Sequence, residues 1–214
     1  MSESYKEFFG IYSEEMPKLI SEGFNPISVS DVMVNRINSR YSEEKSKSYW
    51  LNNYFDTIDA IAYHPNNKMK IVFDSQNLKD VNSESQFHKG SLILEDSVYE
   101  SLNGFEFTRK ELENNLWKWF NAKQIKSNPI WKTLARDQNL LEEYSEYILS
   151  EGKIKFGTNY DHAMAIYFTF PEKIPTMRAL NIWGMGLGSC VFGSHVLNSG
   201  FSRVVGTIEK FRKL

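Results

Sequence analysis

Helix-like and strand-like stretches come in blocks along this chain rather than in strict alternation. That arrangement favours an α+β fold with a largely antiparallel sheet over a doubly wound α/β sheet. Residues 1–57 read as helical. Ser13 can cap a first helix with Pro17 in its first turn, where a missing N–H costs little. Val29, Met33 and Ile37 share one face of the next segment. Trp50, Leu51, Tyr54, Phe55 and Ile58 recur at helical spacing after Ser42.

The pattern then changes. DAIAYH and MKIVFDS are β-rich runs joined by Pro65-Asn66-Asn67-Lys68, which predicts a β-hairpin. SLILE is a short strand candidate, and Asp96 can cap a turn that ends at Gly104. Helix resumes over 107–152. Thr108 and Glu111 form a capping-box pattern ahead of Leu112, Leu116, Trp119 and Phe120. Asn128-Pro129 is a cap followed by proline at the first helical position. Asp137 caps a last helix with Leu141, Tyr144, Tyr147 and Ile148 on its core face and Gly152 as its stop. AMAIYFTF, MRALNIW and FSRVVGTIE are strand candidates. The expected architecture is one α+β domain over residues 1–214, helices packed on a mainly antiparallel sheet. A break near 104–108 would divide it into two subdomains.

Composition narrows the function classes. A net charge of −2 argues against a dedicated nucleic-acid binder, because such proteins cluster Lys and Arg against phosphates. The basic residues Lys210, Arg212 and Lys213 read as a solvated helix end. The single cysteine, Cys190, and an acidic start without an apolar core suggest a reducing, cytoplasmic setting. No run is long and apolar enough for a membrane span. The histidines at 64, 88, 162 and 195 lack ligand spacing, so neither a metal nor another cofactor is expected.

Residues 179–202 carry no Asp, Glu, Lys or Arg across 24 residues, yet five glycines. Gly184, Gly186 and Gly188 permit close backbone approach, but the Lys-Ser/Thr of a phosphate loop and the spacing of a dinucleotide fingerprint are missing. Cys190 lies in the same stretch. As a nucleophile it would need a base within hydrogen-bond reach, for which His195 and His162 are the candidates. The segment GFSRVVG resembles the C-terminal strand of C-type-lectin-like or formylglycine-generating-type domains. The likeness covers fewer than ten residues, without that family's other tryptophan-rich motifs, and no function is carried over from it.

Aromatic residues make up 14% of the chain. Most fall on expected core faces. Trp117 lies about 140° from Leu112 on a helical wheel, and Tyr49 is likewise displaced from its stripe. Exposed Trp and Tyr are enriched at recognition hot spots. The leading expectation is therefore a non-catalytic binding or structural protein. It would contact a protein or small-molecule partner through Trp117, Tyr49 and the loop at Gly186 and Gly188. The alternative is a hydrolase or transferase built on Cys190 with His195 or His162.

Overall fold

The computed structural model describes residues 5–162, 164–169, 173–186 and 189–208. The first strand, β1 (Tyr5–Gly10), precedes helix α1 (Tyr12–Ser21). Residues 5–10 are thus extended, where the sequence predicts helix. Their backbone bonds are supplied by the distant segment 202–207, which no local pattern reports. Ile11 rather than Ser13 occupies the N-cap of α1, and Pro17 lies inside the helix. After β2 (Asn25–Pro26), Ser28 and Asp31 form a capping box on α2 (Val29–Ser39), which is followed by α3 (Glu44–Asn52).

The expected hairpin is present as β3 (Phe55–His64) and β4 (Lys68–Val72), with Asn67 left-handed in the turn at φ 65°. Asparagine tolerates that conformation better than most residues. Short elements follow: α4 (Gln76–Lys79), β5 (Phe87–His88), β6 (Ser91–Ile93), α5 (Asp96–Ser101) and β7 (Phe105–Thr108). The Thr108–Glu111 capping box starts α6 (Arg109–Asn115). That helix stops early. Leu116 is extended, Trp117 is left-handed, and Trp119 and Phe120 form strand β8 (Trp119–Phe120) instead of a helix face. Three helices come next: α7 (Ala122–Ile125), α8 (Pro129–Ala135) capped by Asn128, and α9 (Gln138–Phe156) capped by Asp137. Helix α9 runs through Gly152, which is buried under Tyr160 and does not end it. The chain closes with β9 (Met164–Tyr167), β10 (Thr176–Ile182), β11 (Ser189–Phe192) and β12 (Ser202–Thr207).

These strands form a mixed sheet in the order β1-β12-β3-β10-β11-β9-β8. The pairs β3/β12 and β9/β11 are parallel; the other described pairs are antiparallel. The fold is α+β, with helices on both faces of the sheet. Along β3 the side chains alternate: Phe55, Ile61 and Tyr63 pack with α2, α8 and α9, while Ile58, Ala60 and Ala62 pack with α1, α4 and α5. No helix among the described residues is long and apolar enough to cross a membrane.

Two buried ionic groups tie the layers together. Arg36 of α2 is fully buried. It donates to the carbonyls of Trp50 and Asn53 at 2.9 and 3.0 Å and to the hydroxyls of Tyr144 and Ser189 at 2.8 and 3.2 Å. Its charge therefore meets the negative end of the α3 dipole rather than a carboxylate. Asp59 of β3 accepts from Val29 N at 2.9 Å and from Asp74 N at 3.2 Å, and pairs with Arg136. Val29 N is a first-turn donor of α2, so the same carboxylate anchors that helix. Replacing Arg36 with methionine should lower unfolding stability by about 3 kcal/mol or more, since several buried acceptors lose their donor at once. Urea denaturation measures it; a loss under about 1 kcal/mol would show that those groups find other partners.

Candidate functional site

The residues singled out from the sequence land in different places. Cys190 is buried in β11, and burial pushes its thiol up to about 12, with nearby Arg36 acting in the opposite direction. Such a thiol stays protonated at neutral pH, which is unsuited to nucleophilic attack. His162 is exposed and lies 3.3 Å from Asp161. His195 is engaged elsewhere: its Nε2 is 2.8 Å from Ser202 Oγ and 3.6 Å from Asp56 Oδ1. A catalytic relay uses one ring nitrogen for the nucleophile and the other for the carboxylate. Here both partners meet the same nitrogen, so the geometry orients a side chain rather than relaying a proton. Among the described residues no group of three or more His, Cys, Asp or Glu side chains could hold a metal.

The glycine loop joins β10 to β11. A Cβ on Gly184 would lie 2.6 Å from the carbonyl oxygen of Leu51, at the end of α3, and Met185 N donates to that same oxygen at 2.7 Å. Gly184 is thus required by close backbone approach, whereas a Cβ on Gly186 would meet nothing within 4 Å. Gly188 and the basic residues at 210, 212 and 213 lie outside the described residues.

Tyr49 is half-buried. It stacks on Tyr5 at 5.5 Å and donates to Glu7 Oε2 at 2.7 Å. Burial and that hydrogen bond raise its phenol pKa. Trp117 is 61% exposed and left-handed at φ 59°, a backbone state that costs a bulky residue energy. Its N–H donates to Ile166 O at 2.9 Å, and its ring meets Tyr167 edge-on at 5.1 Å.

Trp117 is one end of a continuous ladder of rings. Tyr167 stacks on Phe192 at 4.8 Å, Phe192 meets Trp183 at 5.2 Å, and Trp183 stacks on Tyr54 at 6.0 Å. The Arg203 guanidinium bridges the next step, 5.6 Å from both Tyr54 and Phe9. Phe9 stacks on Phe201 at 5.5 Å, the two planes only 6° apart. The order follows the sheet: Phe9 is on β1, Phe201 just before β12 and Arg203 within it, Tyr54 just before β3, Trp183 just after β10, Phe192 on β11, Tyr167 on β9 and Trp117 ahead of β8. Neighbouring strands lie roughly 4.8 Å apart, so one ring per strand produces this spacing. Phe9, Phe201, Trp117 and Trp183 keep substantial exposure.

Beside the ladder lies a groove of ≈ 440 Å³ lined by Asn181, Trp183, Phe192, His195, Val196 and Ser199, among others. Asp56, fully buried, organises its base. Its oxygens accept from Asn181 Nδ2 at 2.7 Å and Arg203 N at 2.8 Å, and Ser202 also bonds to it. Burial raises the Asp56 pKa, while His195 and these hydrogen bonds pull it back.

Neither protein-family models nor the curated proteins gave a match to this chain. A solved structure described as the accommodation of massive sequence variation in Nanoarchaeota by the C-type lectin fold is similar to it. The TM-score is 0.72 at 12% identity, over 95% of this chain and 97% of the other. The chain thus has the C-type lectin fold. At that identity the likeness concerns the fold alone.

Two outcomes follow from the site geometry. Cys190 in the native chain should react with iodoacetamide at pH 8 at least ~100-fold more slowly than in the urea-unfolded chain. Comparable rates would place the thiol at an open, activated position. Gly184→Ala should lower stability by about 1–3 kcal/mol, because backbone must shift to admit the methyl group. Gly186→Ala should stay within about 0.5 kcal/mol, a contrast that thermal melts can read.

Proposed function

We propose that this chain is a non-catalytic binding unit spanning residues 1–214, with the aromatic ladder as its contact surface for a protein or small-molecule partner. The observation that carries this reading is the ladder itself, built from one ring on or beside each of seven successive strands and exposed at both ends. Aromatic side chains provide large contact area at little entropic cost. Rings fixed on a sheet lose still less on binding.

The left-handed backbone at Trp117 supports the same reading. A large exposed ring is held where glycine would be cheaper, and such strain concentrates at functional positions. The protonated, buried thiol of Cys190 and the shared nitrogen of His195 give the enzyme alternative little support. A lone reduced cysteine fits a cytoplasmic setting. The solved structure of like fold is described as accommodating massive sequence variation, which fits a scaffold whose surface side chains are set independently of its core.

Panning a random-peptide library against the folded chain tests the reading. Enriched peptides should lose at least ~10-fold in affinity on Trp117→Gly and on Phe201→Ala, in line with hot-spot truncation. Tyr41→Ala, an exposed ring outside the ladder, should leave affinity unchanged. Trp117→Gly should keep stability within about 1 kcal/mol of the parent, as glycine relieves the left-handed backbone. Failure to enrich any peptide, or enriched peptides insensitive to both ladder substitutions, would overturn the proposal.

A further inference from the structure

Among the residues lining the groove beside Trp183 is one whose buried acceptor has no donor. Asn181 is 1% exposed, and its Oδ1 has no hydrogen-bond partner among the described residues. The orientation of that amide is settled by Asp56. A carboxylate accepts and does not donate, so the Asn181 nitrogen must face Asp56 at 2.7 Å and the oxygen must point away from it. A buried, unpaired acceptor is costly, and an N–H arriving from a ligand relieves that cost.

Charge points the same way. Asp56 is buried beside the amide; His195 Nε2 lies 3.6 Å from it, and its hydrogen bonds come from neutral donors: the Asn181 amide, the Arg203 backbone N–H and the Ser202 hydroxyl. Among the described residues lining the groove none is Lys or Arg, and His195 lines it as well. Trp183, Phe192 and Val196 form the apolar part of its wall. Indole and phenyl rings attract cations through their quadrupoles.

We infer that this groove binds a primary ammonium group carried on an apolar stem, which donates to Asn181 Oδ1 while Asp56 balances its charge and Trp183 and Phe192 enclose the stem. A lysine side chain and a free alkylamine share this chemistry. The inference rests on the ladder as a binding surface and specifies what its central rings take.

The test is a titration of the folded, isotope-labelled chain, read from the Asn181 side-chain amide and the Trp183 indole N–H by NMR. Four probes separate the contributions. Butylammonium has charge and donors, butan-1-ol a donor without charge, and butyltrimethylammonium charge without a donor. Nα-acetyl-lysine N-methylamide presents the ammonium as a peptide would. Butylammonium should bind at least ~10-fold more tightly than both butan-1-ol and butyltrimethylammonium, because a charge-assisted hydrogen bond needs both features. Equal affinity for butan-1-ol, or for butyltrimethylammonium, would overturn the inference. Comparable binding of the lysine derivative identifies a peptide lysine as the source, whereas its exclusion identifies a free amine; both support the ammonium site. Asn181→Ala should abolish the preference. Trp183→Ala, at a partly exposed position that tolerates truncation, should weaken butylammonium binding at least ~3-fold. Unchanged affinity in Trp183→Ala would also count against the site. Peptides that bind through the ladder without any amine preference would overturn this inference alone. Amine binding with no ladder-dependent peptide would overturn the broader reading alone.

Discussion

Nine of the ten residues of the central strand β3 are buried, and two of them are carboxylates. A buried carboxylate must gather donors or be neutralised, and that requirement shapes much of what surrounds the strand. Asp59 collects the first N–H of α2, the backbone N–H of Asp74 and the Arg136 guanidinium, which itself lies 4.1 Å over Phe73. Asp56 collects Asn181 from β10 and the backbone of Arg203 from β12. One strand thus anchors the helical layer through Asp59 and fixes the base of the groove through Asp56. Because the sheet and its helices are locked to these two groups, the rings at the strand ends have fixed relative positions.

The ladder and the groove draw on the same strands. Trp183 follows β10, whose Asn181 is held by Asp56. Arg203 uses its backbone for Asp56 and its guanidinium for the rings of Phe9 and Tyr54. The Arg36 cluster secures the other side, joining the end of α3 to Tyr144 of α9 and Ser189 of β11. It lies close to the loop at Gly184, where methyl addition would strike the end of α3. Rigidity at a contact surface lowers the entropy lost on binding, so this bracing is part of the site's physics.

Much of the local structure is legible in the residues. Thr108 with Glu111, Asn128 with Pro129 and Asp137 each start a helix as their side-chain chemistry dictates. The hairpin between β3 and β4 likewise forms at the expected turn. The misreadings share a cause. Tyr5–Gly10 and Trp119–Phe120 become strands because distant partners, β12 and β9, supply their hydrogen bonds. Gly152 continues a helix because Tyr160 packs where a side chain would be. In each case a non-local contact outweighs a local preference of at most about 1 kcal/mol.

By itself the sequence determined the fold class, the helix caps at Thr108, Asn128 and Asp137, and the central hairpin. Each depends on neighbours a few residues away. Tertiary structure alone decided that seven rings from residues 9 to 201 line up in strand order. It alone placed Asn181 and His195 around Asp56 and turned the Asn181 oxygen away from it. The physical reason is strand order: β1, β12, β3 and β10 are neighbours in the sheet but far apart in the chain. Spacing along a sequence encodes helical faces and strand alternation, but it carries no record of which strands will lie side by side.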